Sequence, residues 1–128
     1  MTTTELDELL TRLGRQRFME HAFRVDHHGP EVLAFVHNWG EGTADVVILF
    51  DENLACAYRT ATGPEADVFA PELVSWWYSS SPAWTLRAMI SIPQPGHPDE
   101  PNQLMAPPCG YALPKDGRMP LRVRMRGR

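Results

Sequence analysis

Lysine is all but missing from this chain: Lys115 stands alone beside eleven arginines in 128 residues. So lopsided a choice reflects a GC-rich coding sequence before it reflects chemistry. Cysteine is scarce as well. Cys56 and Cys109 allow one disulfide on number alone, but without a secretion signal a reducing compartment is expected, with both as free thiols. Cys56, inside Leu54-Ala55-Cys56-Ala57-Tyr58, reads as a small buried hydrophobe of a strand. Cys109, between Pro108 and Gly110, reads as the more exposed and more reactive of the two. Long apolar runs are lacking too. The longest, Val46–Phe50, falls far short of the ~20 residues of a membrane span. The opening Met1-Thr2-Thr3-Thr4-Glu5 has neither the basic start nor the apolar stretch of a secretion signal. A cytoplasmic protein with no membrane partner is expected.

Reaction motifs are missing in the same way. There is no G-x-S-x-G elbow, so Ser79-Ser80-Ser81 before Pro82 reads as a loop in which Ser81 caps a turn. Gly40-Glu41-Gly42 lacks the third glycine and following helix of a dinucleotide site and reads as a turn. His21, Asp26, His27, His28 and His37 fall within seventeen residues, and these are metal-ligand types. No CxxC, HExxH or HxH spacing accompanies them, and adjacent His27 and His28 point apart on a strand. The group therefore reads as a polar turn at His27-His28-Gly29-Pro30, with no metal, and His97 is too isolated to join it. Asp45, Asp51 and Glu52 gather around a hairpin, where water keeps carboxylates ordinary. No catalytic residue and no cofactor follow from the sequence.

What remains has a globular composition, 43% hydrophobic and 22% charged, at a length suited to one domain over 1–128. Twelve prolines and nine glycines favour turns and strands over a mainly helical fold. Leu6, Leu9, Leu10 and Leu13 recur at helical spacing and place one apolar stripe on an N-terminal helix. Glu5, Asp7 and Glu8 suit its start, Arg12, Arg15 and Arg17 its end, and Gly14 its C-cap. Phe18–Val25 fits a helical face or the start of a strand. Val32–Trp39, Asp45–Phe50 and Leu54–Arg59 read as an antiparallel meander, joined by Gly40-Glu41-Gly42 and Asp51-Glu52-Asn53. Pro71–Tyr78 fits either a proline-opened helix or a strand. Trp84, Leu86, Ala88, Ile90 and Ile92 alternate with Thr85, Arg87, Met89 and Ser91, and that period predicts a strand with one strongly apolar face. Pro93, Pro95, Pro98 and Pro101 forbid regular structure, so 93–120 is expected to be an irregular connector to a terminal strand over 121–126. The expected architecture is α+β: an N-terminal helix packed on an antiparallel sheet of four to six strands, with a long Pro-rich loop and a C-terminal Arg-rich strand. Phe35, Val47, Leu49, Cys56, Leu86, Ala88 and Ile90 are its expected core.

Two features stand out against that background. Residues 1–114 hold six arginines and fifteen carboxylates, a balance of −9, while residues 115–128 hold six cations and one carboxylate, a balance of +5. In the terminal strand Arg122, Arg124 and Arg126 share one side and Leu121, Val123 and Met125 the other. Those arginines suit a solvated face, the chain's own acidic surface, an acidic protein partner, or nucleic acid, the last opposed by the acidic body. Trp76, Trp77, Tyr78 and Trp84 crowd nine residues, and adjacent Trp76 and Trp77 cannot both point inward from a strand, so one is expected at the surface. The expectation is a non-enzymatic interaction or regulatory module that binds a protein partner, or a second copy, through Trp76, Trp77, Tyr78, Trp84, Arg122, Arg124 and Arg126. The alternative is a small cup-like enzyme or ligand binder, with a pocket between helix and sheet walled by Tyr58, Trp76, Trp77 and Trp84 and with His37 or Asp51 as its polar group.

Overall fold

The apolar stripe of the first thirteen positions needs a surface to lie on, and a six-stranded antiparallel sheet supplies it. A computed structural model of the chain describes residues 3–24, 30–64, 67–107 and 119–125. Helix α1 (Thr3–Arg15) leads into strands β1 (Met19–Arg24), β2 (Glu31–Asn38), β3 (Thr43–Leu49), β4 (Ala55–Ala61) and β5 (Val74–Ser80), then helix α2 (Pro82–Ser91) and strand β6 (Met119–Met125). Strand order is β5-β4-β3-β2-β1-β6: the meander runs in sequence, and the last strand returns to pair with the first. The α+β class and the antiparallel sheet stand as the sequence predicts. No helix among the described residues is long and apolar enough to cross a membrane.

Helix α1 buries Leu9, Leu10 and Leu13 against Phe18, Phe35, Val47 and Ala57, with Leu6 half-buried beside them. Each such leucine contributes roughly 1.5–3 kcal/mol of burial, which is why a helix this short holds its place. Its end differs from expectation. The cap is not Gly14 but Arg17, whose φ is +68°. The Phe18 amide donates to the Leu13 carbonyl and the Arg17 amide to that of Gly14. This pair of bonds makes a Schellman cap in which an arginine occupies the position glycine favours. Phe18 then enters the core, and β1 follows, resolving the ambiguous segment as strand.

The stretch around Trp84–Ile92 is a helix, not a strand. Ser81 is its N-cap residue and Pro82 stands in its first turn, where the missing amide proton costs nothing. Pro82, Ala83, Thr85, Leu86 and Met89 face inward, a helical set that overrides the period-two pattern. Ala88 and Ile90, expected in the core, are half-buried, and so is Leu49. Phe35, Val47, Cys56 and Leu86 are fully buried. The Arg87 guanidinium pairs with the Glu5 carboxylate and ties α2 to α1. Segment 71–78 resolves as strand from Val74 onward, and the terminal strand begins at Met119, before the expected Leu121.

The opposite sheet face carries Phe23, Val32, Ala34, Val46, Ile48, Cys56 and Tyr58, packed with Phe69 and Val74. Residues 67–73 cover this face, tied to β4 by two bonds and shaped by a third within the segment. The Tyr58 hydroxyl donates to the Val68 carbonyl, the Thr60 hydroxyl to that of Leu73, and the Phe69 amide to the Asp67 carboxylate. Phe69 meets Phe23 edge-on at 4.9 Å between ring centroids.

Candidate functional site

Charge is the least expected content of this interior. Strand register lines up His37, Asp45, Arg59 and Trp76 across β2, β3, β4 and β5, on the face that also carries Phe35 and Val47. Asp45 was expected at a wet hairpin. It lies instead 1% exposed in β3, while Asp51 and Glu52 remain in an exposed turn. The Arg59 side chain sits directly opposite and forks onto it: Nε donates to Oδ1 at 2.6 Å and Nη2 to Oδ2 at 2.9 Å. Trp39 Nε1 donates to the same Oδ2 at 2.9 Å, and Arg59 Nη1 donates to the Pro93 carbonyl at 2.7 Å. The carboxylate thus accepts three donors, and one guanidinium fastens Pro93, two residues beyond α2, to the middle of the sheet.

His37 closes the cluster. Its ring stacks on Trp39 at 4.2 Å and 12°, meets Phe18 edge-on, and donates to the Gln16 backbone. Its Nδ1 is buried with no hydrogen-bond partner. Burial pushes the imidazole pKa down, Asp45 and the Gln16 backbone oppose this, and Arg17 adds to it. His21 lies on the other face, against Phe23 and Phe69, so the two histidines do not converge. Asp26, His27 and His28 lie outside the described residues, as does Cys109. Among the described residues, no three His, Cys, Asp or Glu side chains gather closely enough to hold a metal ion. Burial pushes the Cys56 thiol up to about 12, so that sulfur is not a nucleophile near neutral pH.

Chemically, the cluster holds rather than reacts. Three of the roughly four acceptor sites of the Asp45 carboxylate are occupied by donors within the fold, and both members of the pair are sealed from water. Compared with models of known families, with curated proteins and with solved structures, the chain matches none of them. The reading of the site therefore rests on its own geometry.

The aromatic residues named from the sequence are spread over different surfaces. Trp76 packs half-buried on the helical side of β5, and Trp77 projects from the other side, 41% exposed. Tyr78 is half-buried. Trp84 stands outward on α2, 58% exposed, with the Arg87 guanidinium 4.9 Å from its ring centroid. Tyr58 is buried beneath residues 67–73 and Asp51 caps a turn through the Asn53 amide, so the walls imagined for a helix–sheet pocket do not meet. The space between helices and sheet is filled by Leu10, Leu13, Phe35, Leu86 and Met89.

Apart from Trp84, the large exposed apolar groups gather at the two edges of the sheet. Near β5, Met105 makes a two-bond bridge with Val74. Leu73, Trp77, Leu104 and Met105 are all exposed there, beside a shallow cleft of about 390 Å³ lined by Trp77, Glu100, Pro101 and Met105 among others. At the far edge, β6 exposes Leu121 and Val123, while Arg122 donates through both Nη atoms to Glu31 at 3.0–3.1 Å. This pair holds the Arg122 pKa above its ordinary value, first through the hydrogen bonds to Glu31, then through that group's charge, with Glu20 adding to it. Part of the basic strand is thus neutralised by the acidic body. Register sets Arg124 opposite Glu20, and Arg126 lies outside the described residues.

Proposed function

We propose that this chain is a non-enzymatic interaction module that acts in the cytoplasm and binds a protein partner through the edges of its sheet. The observation that carries this reading is the contrast between its interior and its rims. Inside, the ionisable pair Asp45–Arg59 is consumed in structure. Outside, Leu73, Trp77, Leu104 and Met105 at one edge and Leu121 and Val123 at the other leave large apolar side chains in water. Large apolar groups bordered by charge are the usual composition of a recognition surface. Trp77 is the aromatic anchor of the β5 edge, since exposed tryptophans dominate binding energy once buried by a partner, and Trp84 on α2 offers a second, separate anchor. Arg122 and Arg124 supply charge selection.

The test is in-cell crosslinking in the source organism, followed by purification and mass spectrometry. Wild type is compared with Trp77→Ser, Trp84→Ser and Arg122→Ala/Arg124→Ala. A protein crosslinked to wild type and lost from at least one variant that melts normally supports the module. An identical set of crosslinks in every variant removes the assigned surfaces.

A further inference from the structure

We infer that the outer edge of β6 receives an extended acidic segment of another protein as a seventh strand; this rests on the interaction reading above. β6 is the last strand of the sheet, and among the described residues none pairs with its outer side. A free edge offers a row of backbone donors and acceptors, and chains guard such edges unless they use them. The guard here is partial. Pro120 stands second in the strand, and the register slips between Ala22 and Phe23, leaving Leu121 in the bulge. From Arg122 to Met125 the pairing to β1 is regular.

That stretch carries its own selection rule. Register puts Arg122 and Arg124 on one face of the sheet, with Val123 on the other, 54% exposed. A second copy is a poor occupant. Antiparallel pairing about Val123 would set Arg122 against Arg124 of the other molecule, and like charges directly opposite weaken a strand pair. Nucleic acid is a poor one too, because its phosphate backbone has no alternating amides and carbonyls to pair with the edge of a strand. A strand alternating carboxylates with β-branched residues fits both faces at once. Its acids stand across from Arg122 and Arg124, and its apolar residues continue the surface begun by Val123.

The probes are two synthetic peptides, one alternating valine with glutamate and its valine–lysine counterpart, titrated into the isotope-labelled chain. Expected for the glutamate peptide are amide shift changes and slowed hydrogen exchange confined to residues 121–125, weakened by salt. The lysine peptide should bind roughly tenfold more weakly or not at all. Arg122→Glu/Arg124→Glu should reverse the preference. The comparison of peptides on wild type stands even if that variant loses its docked strand. Equal binding of both peptides, binding of neither, or an RNA oligonucleotide shifting the same amides as strongly overturns the inference. So does protection of 121–125 that rises with protein concentration in the absence of peptide, since it would mark a second copy. A partner still captured through Trp77 while both peptides fail would sink the acidic strand and leave the interaction module standing.

Discussion

Breaking the Asp45–Arg59 pair should cost more than any single change on the surface of this protein. Both side chains are 2% exposed, so neither charge regains water when its partner is removed. Asp45→Asn keeps the shape but leaves a buried guanidinium without a counter-charge, a loss of roughly 3–5 kcal/mol. Arg59→Met leaves a buried carboxylate and strips the Pro93 carbonyl of its donor, so it should cost at least as much. Against a total stability of about 5–15 kcal/mol, either variant is close to unfolding. With a urea slope of about 1–3 kcal/mol per molar, the midpoint should fall by roughly 2 M. The double variant carries the decisive number. Asp45→Asn/Arg59→Met removes the charge that each single change strands, so its cost should be less than the sum by about 2 kcal/mol or more. Urea titration followed by far-UV circular dichroism and by tryptophan fluorescence, to which Trp39 beside Asp45 contributes, measures all three. Single losses below about 1 kcal/mol, or losses that add to within about 0.5 kcal/mol, would refute the argument that this pair is a desolvated clasp.

Other expectations follow from the same geometry. Arg17→Gly removes a side chain from a left-handed position and should stabilise by about 1 kcal/mol, raising the melting temperature by roughly 4 °C; a lower melting temperature would mean that Arg17 makes a contact worth more than its strain. His37 titrates below its ordinary value when folded, so the unfolded chain binds its proton first. Stability should be unaffected by this group above a pH of about 6.5 and should decline as pH falls from there towards the folded value. His37→Phe should flatten that decline, and denaturation at a series of pH values shows whether it does. Cys56, with its thiol pushed up to about 12 and its side chain buried, should resist a thiol reagent at pH 8 in a Cys109→Ser background and react at once in denaturant. Leu13→Ala or Leu86→Ala should cost about 2–5 kcal/mol in the same urea assay.

The sequence was readable wherever structure is made by near neighbours. The α1 stripe needs only helical spacing, and the β2–β4 meander only short turns between β-branched runs. In helix α2, Leu86, Ala88 and Ile90 satisfy period two by accident, and that alternation conceals Met89, which faces inward with Leu86. The Ser81-Pro82 start was the contrary signal. The clasp was hidden for a different reason. Asp45 and Arg59 are fourteen residues apart and become partners only through the register of a hairpin. Even so, a lone acid in one apolar central strand and a lone base in the next is a pattern that a search for compensating charges could have caught. The separation of Trp76 from Trp77 by the sheet was legible because side chains alternate. The neutralisation of Arg122 by Glu31 was not, since it needs β6 placed beside β1.

That placement also sets a timetable for the newborn chain. His21 pairs with Val123, a contact spanning about a hundred residues, so β1 keeps one bare flank until nearly all of the intervening chain has left the ribosome. Such late, distant closure is slow and leaves a sticky border open during synthesis. Glu20 on β1 and Glu31 on β2 place negative charge along that border before the arginines arrive to meet it, which would keep two half-made copies from joining there.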